Sequence, residues 1–187
     1  NNILHDLINK SRYTKFGLEH DFKLIKSYKD FKNKVPTRDY EQFKNYIDLI
    51  KKGEKDILWP GKPIYFAKTS GTTSGIKYIP VSKESIKNQV KSAGYLLFDY
   101  LKDKNSFESI NGKAMFISGS PSLVEENGIK IGRLSGIVNH HEPFYLKGML
   151  LPSKETNKIK NWEEKIEKIV EETIGEDLRV IGGIPPW

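Results

Sequence analysis

Ile64-Tyr65-Phe66-Ala67, then Lys68-Thr69-Ser70-Gly71-Thr72-Thr73-Ser74-Gly75-Ile76-Lys77, then Tyr78-Ile79-Pro80-Val81 follow one another without a break, and their contrast decides the fold. The outer blocks are rich in β-branched and aromatic residues, so each reads as a short strand. Pro80 has no N–H to give to a ladder, which sends the second strand to an edge or makes it an ending strand. The middle block carries five hydroxyls and two glycines and ends on Lys77. Glycines let a backbone turn tightly and aim N–H groups into a concavity. Hydroxyls add donors, and a lysine adds a mobile positive charge. Together these are the parts of a polyphosphate cradle. The block is not a Walker A loop: three residues, not four, separate Gly71 from Gly75, and Lys77 comes later. By Ser/Thr/Gly richness alone, a flexible polar hairpin is the better reading.

Working outward, the N-terminal side reads helical. Ile3, Leu7 and Ile8 make a short apolar stripe, and Phe22, Ile25, Tyr28 and Phe31 recur at roughly helical spacing up to Val35-Pro36, with a turn over part of that run as the alternative. Asp39 is an N-cap with Gln42 as its capping-box partner. Tyr40, Phe43, Ile47 and Ile50, spaced 3, 4 and 3, form one helix face that Gly53 closes. On the C-terminal side, Ser82 opens a long helix to about Leu101, with a stripe at Ile86, Val90, Ala93, Leu97 and Leu101. Ala114–Ile117 reads as a buried strand and Ile129–Arg133 as a second one after Asn127-Gly128. Leu134–Ser153 has no assignable pattern. Ile159, Trp162, Ile166, Ile169 and Thr173, spaced 3, 4, 3 and 4, predict a helix ahead of Gly175 and a strand at Leu178–Ile181. Strands separated by long helices predict an α/β, layered sheet-and-helix architecture. At ~150 residues per domain, 187 residues predict one domain or one with a small remainder.

Composition excludes several classes. With no cysteine there is no disulfide, thiolate metal site or cysteine nucleophile. No apolar run is long enough to cross a bilayer, and the first residues have neither basic start nor apolar core, so no membrane partner and a cytoplasmic location are expected. Lys and Arg number 31 against 24 Asp and Glu, a net +7, while Lys154–Asp177 alone holds 5 Lys and 8 acidic residues. A basic chain admits a nucleic-acid-binding module as an alternative. The lysines are scattered, however, and aromatics are not interleaved with them as in a single-strand platform, so no nucleic-acid partner is expected. Ending on Gly182-Gly183-Ile184-Pro185-Pro186-Trp187, straight after a strand, the chain reads as a piece of a longer protein.

Ser70-Gly71-Thr72-Thr73-Ser74-Gly75 with Lys77 resembles the first phosphate-binding motif of the adenylate-forming superfamily. Thr14-Lys15-Phe16-Gly17, Val35-Pro36 with Tyr40, Trp59-Pro60-Gly61, Phe66 to Thr73 and Lys77-Tyr78-Ile79-Pro80 narrow the resemblance. So do Leu134-Ser135-Gly136 and Gly182–Trp187. Together they resemble the auxin-responsive acyl acid–amido synthetase family in its bacterial form, over about Leu4 to Trp187. The resemblance implies the N-terminal part of the large domain of an ATP-dependent ligase, over residues 1–187, without the small C-terminal lid. Such an enzyme joins a carboxylic acid to ATP, releasing pyrophosphate, and passes the acyl group from the adenylate to an amine, often an amino acid. A thiol acceptor such as coenzyme A is the alternative. The resemblance gives Thr69, Ser70, Gly71, Thr72, Thr73, Ser74 and Gly75 to the ATP phosphates and Lys77 to catalysis, with magnesium arriving on the nucleotide. Adenine-, ribose- and magnesium-binding groups are expected beyond Trp187. This piece alone is expected to be inactive. Ile76 stands where many such loops have proline.

Other constellations are weaker. His140-His141-Glu142 lacks a third ligand, and adjacent histidines in a strand face opposite ways. No metal site is expected there, and a surface or substrate-rim role is preferred. Ser135 has no nucleophile elbow. Tyr95 and Phe98 either line an acyl pocket or are plain core.

Overall fold

Ile8 is buried in the first helix, α1 (Asn2–Ser11), while Ile3 and Leu7 on the same stripe stay exposed. These features come from a computed structural model that describes residues 2–69, 71, 75–105, 107–143, 146 and 148–183. Thr14 caps α2 (Lys15–Glu19), its hydroxyl accepting from the Gly17 N–H at 3.0 Å. The Phe22–Phe31 recurrence is not one helix. Phe22–Leu24 is a single 3-10 turn that ends at an extended Ile25, and α3 (Tyr28–Lys34) starts afresh. The cause is Ser27, whose hydroxyl accepts from the Asp30 N–H and so satisfies a first-turn donor of a new helix. Ile8, Phe22 and Ile25 pack with Leu4, Phe16 and Phe31 into one small core.

Asp39 and Gln42 form the expected capping box, each side chain accepting from the other's N–H at 3.0 and 2.9 Å. The helix they start, α4 (Tyr40–Lys51), buries Ile47 and Ile50 against Ile57, Phe66, Ile129 and Ile131. β1 (Tyr65–Lys68), one residue later than the sequence predicts, runs antiparallel to β2 (Tyr78–Val81), with Lys68 opposite Tyr78 and Tyr65 opposite Val81. Pro80 sits on an edge strand as expected, since the sheet order is β2-β1-β5-β4.

α5 (Lys83–Lys104) buries Ile86 and Leu101. β3 (Lys113–Ile117) is central in its sheet but only half-buried, with Phe116 exposed, which corrects the expectation of a buried strand. β4 (Val124–Glu126) and β5 (Ile129–Arg133) form a hairpin over Asn127-Gly128, at φ 51° and 77°. Positive φ at both positions is the two-residue hairpin geometry that Asn-Gly favours, which makes β4 the hairpin partner of β5. Leu134–Ser153, without pattern in sequence, holds α6 (Leu134–Val138) and β6 (Leu150–Leu151). α7 (Lys154–Lys158) precedes α8 (Trp162–Thr173), and β7 (Leu178–Gly183) follows. β6, β3 and β7 form a parallel sheet in that order.

The chain is thus mixed α/β, and it divides into two compact units. One holds residues up to Lys83 with Val124–Ile131 and contains the β2-β1-β5-β4 sheet; the other holds Glu84–Leu123 and Gly132 onward, with the parallel sheet. No helix among the described residues is long and apolar enough to cross a membrane.

Candidate phosphate loop and apolar cleft

The β1–β2 ladder runs one step beyond the strands and closes the loop at its neck. The Thr69 N–H donates to the Lys77 carbonyl at 3.1 Å, and the Lys77 N–H donates to Thr69 Oγ1 at 3.2 Å. Within the loop, Gly71 and Gly75 take φ of 66° and 76°, a region that costs an L side chain strain. At Gly71 there is also no room. A Cβ there would stand 2.9 Å from the Gly75 carbonyl carbon and 3.0 Å from the Ile76 nitrogen, both backbone atoms that cannot swing aside. The two glycines therefore allow the loop to fold back on itself. Thr69, Gly71, Gly75 and Lys77 are brought together; Ser70, Thr72, Thr73 and Ser74, which the sequence assigns to the same role, lie outside the described residues.

Lys77 is half-buried rather than freely solvated. Its Nζ lies over the ring of Tyr40, 5.5 Å from the centroid. Tyr40 also reaches the next residue: its Oη accepts from the Tyr78 N–H at 2.8 Å. Lys51, in the last turn of α4, places its Nζ 4.0 Å from the centroid of the Tyr78 ring. Two cations and two tyrosines thus join α4 to the start of β2. Sequence reasoning uses Tyr40 as a helix-face residue and as one of the residues that carry the family resemblance, and nothing local marks a partner 38 residues away.

In the second unit, a cleft of about 400 Å³ is lined by Ile86, Lys87, Val90, Lys91, Gly94, Tyr95 and Phe98 of α5 and by Pro143. Tyr95 and Phe98 are exposed in this chain rather than packed into its own core. His141 also borders it, and burial, then the neighbouring His140, push its pKa below the ordinary value. His140 and His141 lie in a 3-10 turn, not the strand assumed above, and His140 Nε2 donates to the Pro121 carbonyl at 2.8 Å. Glu142 takes an ion pair from Lys154 at 3.3 Å. Among the described residues no cluster of three or more His, Cys, Asp or Glu side chains stands ready for a metal.

Comparison with known proteins gives a consistent result. The GH3 family N-terminal domain matches residues 1–159. An indole-3-acetic acid-amido synthetase, GH3.15 of Arabidopsis thaliana, is 38% identical over 63 residues, which are 33% of this chain and 11% of that protein. A solved GH3.15 acyl acid amido synthetase superposes with a TM-score of 0.70 at 18% identity, over 88% of this chain and 29% of its own. A structure of AtGH3.15 acyl acid amido synthetase in complex with 2,4-DB gives 0.64 at 20% identity, over 80% and 26%. This chain therefore spans less than a third of the length of each of these relatives.

Proposed function

This chain belongs to the GH3 family, and from that premise we propose that it is the N-terminal part of an ATP-dependent acyl acid amido synthetase. The carboxylate oxygen of an acid attacks the α-phosphorus of ATP, the bond to the β-phosphate breaks, and pyrophosphate leaves. The amine of an amino acid then attacks the acyl carbon, and AMP leaves as the amide forms. Thr69 to Gly75 hold the β- and γ-phosphates, and Lys77 offsets the negative charge that grows on pyrophosphate. Magnesium comes with the nucleotide as part of the substrate. The α5 cleft suits the apolar body of the acid: its volume is in the range of small-ligand sites and its lining is largely apolar.

One observation carries this reading: a loop closed by the reciprocal Thr69–Lys77 bonds, with the family's lysine at its neck. A lysine held there stabilises a charge that is larger in the transition state than in the ground state, so it acts on rate more than on binding. Lys77→Ala in the full-length enzyme is expected to slow acid-dependent pyrophosphate exchange ~10²–10³-fold, about 3–4 kcal/mol, with little change in the KM for the acid. A rate within about twofold of wild type at saturating ATP removes Lys77 from the reaction and leaves the polar hairpin as the better account of the loop.

A further inference from the structure

From the contacts around the loop neck, we propose that Tyr40 is a positioning residue for adenylate formation, holding Lys77 aimed and the start of β2 fixed while the phosphates bind; this rests on the reading of Lys77 given above. Three facts carry it. The first is that Lys77 is immobilised from both ends. Its backbone N–H and carbonyl are both used by Thr69, and its ammonium lies over the Tyr40 ring face. A free lysine side chain samples many rotamers, and part of that freedom must otherwise be lost when it engages a phosphate. A ring that already confines the ammonium, and shields one side of it from water, lowers that loss. The second is that one residue performs both tasks. The Oη of the same tyrosine takes the Tyr78 N–H at 2.8 Å, so the ring cannot shift without releasing the residue that follows the lysine. The third is that Tyr40 itself has little freedom. It is the first residue of α4, directly after Asp39, and the capping box locks that turn. Its ring also packs against the core of Ile47, Phe66 and Ile129. Lys51 over the Tyr78 ring ties the other end of α4 to the same strand. Helix α4 is thus a brace along which the rigidity of the core reaches the ammonium.

The two functions of Tyr40 are separable by substitution in the full-length enzyme. Tyr40→Leu removes ring face and hydroxyl; Tyr40→Phe keeps the face and leaves the Tyr78 N–H without its acceptor. We expect Tyr40→Leu to lower kcat for acid-dependent pyrophosphate exchange roughly threefold to tenfold with the KM for the acid unchanged, the size of a partly exposed cation–π contact. Tyr40→Phe should fall between Leu and wild type. The deciding measurement is the double-mutant cycle with Lys77→Ala. If Tyr40 acts through Lys77, adding Tyr40→Leu to Lys77→Ala lowers kcat by less than twofold more. Full additivity, or Tyr40→Leu with wild-type kcat, overturns the proposal while the role of Lys77 stands. A Lys77→Ala enzyme with wild-type exchange overturns both, and so identifies the functional reading as the failure. If Tyr40→Leu does not fold, as judged by circular dichroism, the Tyr40→Phe cycle takes its place under the same criterion.

Discussion

At the scale of single residues, the glycines of the loop are the sharpest test. Gly71 and Gly75 share a left-handed φ, so alanine at either costs on the order of 1–2 kcal/mol of backbone strain. Only at Gly71 does the added Cβ also press on backbone, that of Gly75 and Ile76, while no atom of the described residues lies within 4 Å of a Cβ at Gly75. Gly71→Ala is therefore expected to raise the KM for ATP and lower exchange by tenfold or more, and Gly75→Ala by several-fold less. Equal losses in steady-state exchange would mean that the close approach at Gly71 has no bearing on nucleotide binding. Residue identity alone marked a loop here, because glycines and hydroxyls interrupt two β-forming blocks. It did not announce Tyr40 or Tyr78, whose importance comes from a contact across the fold. Nor did it announce Lys165. In the structure it is buried, donates to the carbonyls of Ser118 and Asn157 at 3.4 Å, and has its pKa pushed down by that burial.

At the scale of elements, caps and turn chemistry were read correctly where the deciding side chain is local: Asp39 with Gln42, Pro80 on its edge, Gly175 after α8 at φ 81°. Reading failed where an apolar period ran across a break. Ile159 looks like the first residue of the α8 stripe but stands after the separate helix α7, because Asn161 caps α8. What holds α7 against α8 is polar and does not show in a hydrophobic pattern. The Glu172 carboxylate accepts from the Ser153 N–H, the Ser153 hydroxyl and the Thr156 hydroxyl, each at 2.6 Å. Burial, the largest single influence, pushes its pKa up; the bonds from Ser153 and Thr156 together outweigh it, and the net value lies below the ordinary one. A carboxyl whose folded pKa is depressed stabilises the fold above its unfolded pKa, and that contribution is lost as pH falls through the folded value. Glu172→Gln should therefore destabilise by about 1–2 kcal/mol at pH 7. The gap to wild type should begin to narrow below roughly pH 4.3 and close at lower pH. Urea midpoints of both proteins across that range check it, and a gap that stays constant with pH would show that the charge of Glu172 is not what pins α7.

At the scale of the whole molecule, the sequence indicated an α/β chain, and the fold agrees. The division into two compact units was not legible, because Val124–Ile131 returns to the first unit through long-range pairing that no local pattern encodes. The second unit leaves a large apolar area in water. Trp162, Ile166 and Val170 of α8 and Ile174 just past its end lie four residues apart in sequence and are all substantially exposed, Ile174 to 76%. Leu96 on α5 is 74% exposed and Ile181 on β7 67%. A stripe of that kind is what a soluble chain covers with another surface. The relatives with this fold are more than three times longer than the part this chain matches, which argues that further segments of the same polypeptide do the covering. Catalysis by proximity needs every reacting group held in one geometry. The 187-residue chain expressed alone is therefore expected to bind a hydrophobic dye strongly, to self-associate, and to give no AMP from ATP with any acid and amino acid. The full-length protein should lose the dye signal and gain the turnover. Dye binding and sedimentation report the exposed stripe, and AMP release reports the chemistry, so the two halves of the prediction stand or fall separately. A monomeric, dye-silent chain would mean that α8 needs no cover. AMP production by this chain alone, abolished by Lys77→Ala, would mean that the adenylation machinery is complete within it.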